Sequence, residues 1–249
     1  MKVIEGKRVA YDSDEEFYAR QARRSKRSDN NRVVKGRIAE ALRFCMFGGE
    51  LKFTDPPVRR DDPDFSSDIR ILDVGCGDGW SLEYLARGCT EGLAPFSPKK
   101  KFRNASGIEM IHTVVEYAQT KGRNVIQGDI RRLVIEADAF DLIYTRHCLE
   151  HLDDPSAALK NIAKMLKPGG TLLAIVPKED NDLNPEKSVH SYLFRDDGEL
   201  ARLAASAGLT VAGNFRRNEY TYRKRKYWYR LSRRLRYMGP ELWVFATKA

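Results

Sequence analysis

The sequence predicts an α/β fold: a doubly wound sheet of seven strands, mostly parallel, with helices on both faces, preceded by an N-terminal helical cap. Three observations carry this. From residue 69 onward short apolar runs alternate with helical stretches, the pattern of successive βαβ units. A glycine-rich turn directly follows the first apolar run. The helical stretches also carry their own start and stop signals, such as Asp-Pro before residues 156–167 and Gly208 after residues 196–207. In such sheets ligands sit at the carboxyl ends of the strands, so the loops there matter most.

The elements follow in order. Residues 1–68 are polar with helical patches. Val34, Ile38, Leu42 and Cys45 share one helical face, and 48–68 is rich in Gly, Pro and Asp, as loops are. "IRILDV" is the first strand, and "GCGDG" turns it into the helical "WSLEYLARG". "ASGIEM" is the second strand, followed by the helical "IHTVVEYAQTKG"; "NVIQGD" and "FDLIYT" are the third and fourth. The helix "DPSAALKNIAKMLKPGG" has Asp153 or Asp154 as its N-cap and Pro155 in its first turn. "TLLAIVP" is the fifth strand. "DDGELARLAASAG" is a helix with Asp196 and Glu199 at capping-box spacing. "LTVAGNF" and "ELWVFATK" close the sheet as an antiparallel pair. The domain boundaries are therefore 1–68 for the cap and 69–249 for the α/β domain, with a basic insertion, 216–239, between the last two strands.

Composition excludes several classes. No run of 18 apolar residues offers a membrane span, and the first residues lack the apolar core of a signal peptide. The four cysteines, Cys45, Cys76, Cys89 and Cys148, form no C-x-x-C pair, so a reduced, cytoplasmic protein without a disulfide framework is expected. The formal charge of +9 is local. Residues 216–236 hold ten of the 44 Lys and Arg and one acid, Glu219, which leaves 34 bases and 34 acids elsewhere. Trp228, Leu231, Leu235 and Met238 trace one helical stripe within the insertion, flanked by Arg225, Arg230, Arg233, Arg234 and Arg236. Such a segment is either a solvated helix packed by its stripe or a surface for an anionic partner: a phosphate-bearing small molecule, RNA or a membrane surface.

The glycine turn is G-x-G-x-G: Gly75, Gly77 and Gly79, with Cys76 and Asp78 between them and Asp73 at the strand end. No lysine follows. Carboxylates there disfavour a pyrophosphate and suit a ligand carrying ammonium and sulfonium charges. With "ILDVGCGDG", "GIEM", "QGDI", "FDLIYTRHCLEHLDDP" and "LKPGGTLLAIVP" in this order, the chain from about 69 to 249 resembles the class I S-adenosylmethionine-dependent methyltransferases, with their type 11-like domain and Rossmann-like sheet. The resemblance implies S-adenosylmethionine as cofactor. It assigns the glycine loop with Asp73, Gly75, Cys76, Gly77, Asp78 and Gly79 to that cofactor, Glu109 to its ribose hydroxyls with Met110 beside it, Asp129 and Ile130 to its adenine, and Thr145 and Arg146 to the exit of the fourth strand. Glu109 lies 34 residues beyond Gly75, against about 20 in dinucleotide folds. The excess is the insertion "GCTEGLAPFSPKKKFRNAS".

After the fourth strand comes H-x-x-E-H: His147, Glu150 and His151. A helical turn would place these three, at i, i+3 and i+4, on one face. Three roles compete. They can pack and hydrogen-bond as polar loop residues. His151, with Glu150 and His147, can remove a proton from a methyl acceptor, a neutral imidazole being a suitable base near pH 7. Or His147, Glu150 and His151 can join His190 around a metal, a donor set that suits Zn²⁺, Fe²⁺ or Mn²⁺ better than Mg²⁺; some O-methyltransferases of this class place acid and His ligands at this loop. The favoured expectation has no metal. The protein is then expected to O-methylate a small, glycan-type or nucleotide-type anionic acceptor, bound by His190, Arg225, Arg230 and Arg233. An RNA methyltransferase using the basic segment, and a non-catalytic binding module on the same fold, are the alternatives.

Overall fold

The computed structural model describes residues 69–87, 104–178, 190–217 and 241–249. The N-terminal cap, the insertion after the first helix and the basic segment with Arg225, Arg230 and Arg233 lie outside these residues. Along the described chain run β1 (Ile71–Val74), α1 (Trp80–Arg87), β2 (Ala105–Glu109), α2 (His112–Thr120), β3 (Val125–Gln127), β4 (Phe140–Arg146), α3 (Pro155–Met165), β5 (Leu166–Pro177), α4 (Glu199–Ser206), β6 (Leu209–Arg217) and β7 (Glu241–Lys248). The strands form one seven-stranded sheet in the order β3-β2-β1-β4-β5-β7-β6.

β1 to β5 pair in parallel. Their runs read as near-continuous apolar sequence because strands covered on both faces bury alternate side chains on each side. Leu72, Val74, Ile143, Leu172 and Ala174 are fully buried in one core with Leu159 and Ile162 of α3 and Leu200 of α4. Burying each such aliphatic side chain contributes roughly 1.5–3 kcal/mol. β7 runs antiparallel between β5 and β6. This makes β6 parallel to β5 and brings Arg217, Glu241 and Pro177 into register at the carboxyl edge of the sheet.

Two local expectations change. The helix preceding β5 stops at Met165 and β5 begins at Leu166, not at Thr171. Pro168 accounts for this, since it disfavours the helical region at Lys167. Asp196 and Glu199 do not form a capping box. The Asp196 carboxylate accepts from Gly198 N at 2.7 Å, that of Glu199 from Arg195 N, and α4 starts at Glu199 without a side-chain cap. At the start of α3 the cap is Asp154, whose Oδ1 accepts from Ala157 N at 2.9 Å, with Pro155 at the first helical position.

Candidate active site

The chain enters the sheet at β1, winds outward through β2 and β3, and returns to β4 on the other side of β1. The carboxyl ends of β1 and β4 therefore flank the topological switch point, where open α/β sheets bind ligands. The loops leaving these two strands touch. Gly75 has φ +73°, and a Cβ on it would lie 2.5 Å from Cys148 Cβ, so only glycine lets the β4 exit pass. Gly77, φ +57°, faces open space, and its N–H donates to Glu109 Oε2 at 3.0 Å. Glu109 Oε1 accepts from Met110 N at 2.8 Å and Ile111 N at 3.0 Å. The carboxylate at the end of β2 is thus fixed beside the glycine loop, and Met110 next to it is 47 % exposed, unusual for so large an apolar side chain in a packed domain.

The other acids of the cleft have distinct environments. Asp73 is buried and accepts from the Ser81 hydroxyl. Burial pushes its pKa up to about 7; the Ser81 hydrogen bond and Arg146 oppose the rise and the nearby Glu109 adds to it. Both oxygens of the Asp78 carboxylate have protein partners. Its Oδ1 accepts from Trp80 N at 3.1 Å, at the start of α1, and its Oδ2 pairs with Arg123 at 3.3 Å. Cys76 turns its thiol onto β2, where a Cβ on Gly107 would lie 2.5 Å from Sγ; burial pushes that thiol well above its ordinary pKa. Asp129 is held by Arg131, whose Nε lies 2.9 and 3.0 Å from its two oxygens and whose guanidinium also reaches Asp153. The Arg131 hydrogen bond keeps the Asp129 carboxyl below the usual range. Ile130 packs into the core. Arg123 does not announce itself in the sequence, because it meets Asp78 and Glu83 only through the fold; Arg131 stands two residues from Asp129, and only its reach to Asp153 depends on the fold.

The exit of β4 carries the H-x-x-E-H residues, and the structure divides them. Thr145 is buried near the Cys148 thiol. Burial and the Glu150 charge push that thiol's pKa up, which makes it a poor nucleophile. His147 adopts a left-handed backbone, φ +52°. Its N–H donates to Ile175 O, and its Nε2 lies 2.9 Å from Glu241 Oε1. Arg146 Nη2 reaches the same oxygen at 3.3 Å, and Trp243 Nε1 donates to Glu241 Oε2 at 3.1 Å. The 3₁₀ turn begins only at Leu149 and ends at His151. The expected shared face of 147, 150 and 151 therefore does not form: the left-handed step and the buried Glu241 draw His147 away.

Glu150 and His151 meet His190 instead. Glu150 is 0 % exposed. Its main-chain oxygen accepts from Ser191 N at 2.8 Å and Tyr192 N at 3.0 Å, which docks the loop after β5 onto the turn. The His151 and His190 rings pack edge to face at 4.9 Å, and His151 Nε2 lies 4.0 Å from Glu150 Oε1. One ligand atom from each of Glu150, His151 and His190 can lie within 4.8 Å of the others. Among the described residues His147 is not part of this group, a correction to the four-residue metal set. Glu241, 94 residues from His147, carries no motif that could have flagged it.

A family model described as a methyltransferase domain matches residues 54–212. The chain is 32 % identical over 161 residues to the ubiquinone biosynthesis O-methyltransferase of Coxiella burnetii strain Dugway, a match covering 57 % of this chain and 63 % of that protein. It is 32 % identical over 158 residues to an uncharacterized 37.1 kDa protein in transposon TN4556 of Streptomyces fradiae, covering 56 % of this chain and 43 % of that one. Both matches span less than two thirds of the relative's length. Two solved structures share the fold: a TehB-like SAM-dependent methyltransferase from Corynebacterium glutamicum, with TM-score 0.56, 18 % identity and 94 % and 98 % of the two chains covered; and the structure of the Haloferax volcanii Trm112 methyltransferase activator with its methyltransferase, with TM-score 0.59, 16 % identity and 97 % and 100 % covered.

Proposed function

The chain belongs to the methyltransferase-domain family, solved structures that share its fold include SAM-dependent methyltransferases, and from that premise we propose that it methylates a hydroxyl oxygen of a small, glycan-type or nucleotide-type acceptor carrying negative charge, with His151 as the base. The observation that carries the reading is the contact of Gly75 with Cys148: it sets the glycine loop of β1 directly against the turn that bears Glu150 and His151.

The cleft fits the cofactor on its own terms. Gly77 leaves open space above the loop, Glu109 offers a fixed carboxylate to ribose hydroxyls, the exposed face of Met110 offers an apolar platform, and Asp73 offers a carboxylate to positive charge. When bound, S-adenosylmethionine supplies a methyl group already activated on a sulfonium sulfur. The residues then have two tasks, positioning and proton removal. A ring nitrogen of His151 takes the acceptor's hydroxyl proton. The Glu150 carboxylate, 4.0 Å away and screened little by solvent, stabilises the imidazolium that results. The basic segment joins the sheet at Arg217 and Glu241, on the carboxyl edge, which supports assigning Arg225, Arg230 and Arg233, with His190, to the acceptor.

A second reading has its own observation: the mutual approach of Glu150, His151 and His190 suits a divalent cation that would bind the acceptor oxygen and acidify it. The test is methyl transfer from labelled cofactor to a panel of hydroxylated carboxylates and nucleotide sugars. His151→Ala should abolish turnover and leave cofactor affinity intact; full turnover in that variant would refute the base. Activity lost to a chelator and restored by one added metal would select the second reading.

A further inference from the structure

We infer that Arg123 is a positioning residue for the cofactor loop, an inference that rests on the cofactor reading above. Arg123 stands in the turn before β3 with its side chain 10 % exposed. One guanidinium reaches two other elements. Nη1 donates to the main-chain oxygen of Asp78 and pairs with its Oδ2 at 3.3 Å. Nε donates to Glu83 Oε2 at 3.1 Å, on α1, and Nη2 donates to the same oxygen. The aliphatic stem packs under Gly79, where a Cβ would lie 3.2 Å from Arg123 Cδ. Asp78 and Glu83 stand 45 and 40 residues away in sequence.

A loop with three glycines in five residues has unusually large conformational freedom to lose. If nothing ordered it beforehand, a ligand would have to, at the expense of affinity. The clasp removes that freedom in advance. It also keeps the Asp78 carboxylate turned toward α1, so that the backbone of Gly77 and the carboxylates of Asp73 and Glu109 face the ligand. The two arms separate by role: the Glu83 arm ties Arg123 to a helix, and the Asp78 arm ties it to the loop.

The experiment is calorimetric binding of S-adenosylhomocysteine at a temperature where circular dichroism shows each variant folded. Arg123→Met should weaken binding by about tenfold or more, the scale of one lost preorganised contact, and Arg123→Lys, which restores charge without the fork, should fall between. Glu83→Gln should lower the melting temperature yet stay within about threefold of wild-type affinity, because the Asp78 arm survives. Arg123→Met binding as tightly as wild type overturns the inference, and so does Glu83→Gln weakening binding as much as Arg123→Met. If Arg123→Met does not fold, Arg123→Lys decides by the same comparison. A wild-type chain that binds no S-adenosylhomocysteine overturns the cofactor reading itself, and this inference with it.

Discussion

Asp73→Asn should make the ligand-free protein more stable and the cofactor-binding site worse. Asp73 is 6 % exposed, and burial raises its pKa from an ordinary 3.8 to about 7. The folded chain therefore binds this proton more tightly than the unfolded chain. The advantage is complete below the unfolded pKa, and it is lost progressively as pH rises toward 7, because the unfolded chain then gains by ionising while the folded chain cannot. A rise from 3.8 to about 7 corresponds to at most about 4 kcal/mol lost above pH 7. Asparagine keeps the shape and can still accept from Ser81, but never ionises. The stability gap between variant and wild type should accordingly widen by roughly 2–3 kcal/mol between pH 5 and pH 8. Urea unfolding at the two pH values measures it directly. Binding should move the other way: the variant should bind S-adenosylmethionine more weakly at pH 8, where the wild-type carboxylate meets the ligand's positive charge. A variant destabilised equally at both pH values would refute the reasoning, since it would mean that Asp73 acts as a fixed hydrogen-bond partner rather than as a buried charge.

Gly75→Ala should cost about 2–4 kcal/mol, combining left-handed strain with overlap against Cys148; thermal melts check it, and pairing it with Cys148→Gly should recover the overlap part. Glu109→Ala should weaken cofactor binding by about tenfold or more, since the carboxylate is a charge-assisted acceptor, and unchanged affinity in calorimetry would contradict its ribose assignment. Glu241→Leu should destabilise by about 3 kcal/mol, because it removes the buried carboxylate that pairs with both Arg146 and His147; denaturant unfolding reads this. If the acceptor is RNA, the logarithm of its binding constant should fall steeply with the logarithm of salt concentration, and indifference to RNA at low salt would remove that alternative.

The strands and the glycine loop are legible in the sequence because their signals are local. A strand covered on both faces needs consecutive apolar residues, as in "ILDV" and "LLAIV", and a turn that must bend left-handed needs glycine, as at Gly75 and Gly77. The cap at Asp154 and the stop at Met165 before Pro168 are local too, although the helical periodicity runs past the second. The division of the H-x-x-E-H residues is not legible. Spacing alone puts His147, Glu150 and His151 on one helical face, but a left-handed residue and a glutamate from the last strand separate them.

By itself the sequence determined the order of elements, the positions of the ligand-facing loops and the residue types within them. The tertiary structure alone decided which side chains meet. Asp78 goes to Arg123, Asp153 to Arg131, His147 to Glu241, and His151 to His190. Two of these pairs, with partners 45 and 94 residues apart, exist only because of the strand order and the packing it imposes. A carboxylate's availability depends on whether such a partner has already claimed it, and that is a property of three-dimensional neighbours that no local pattern encodes.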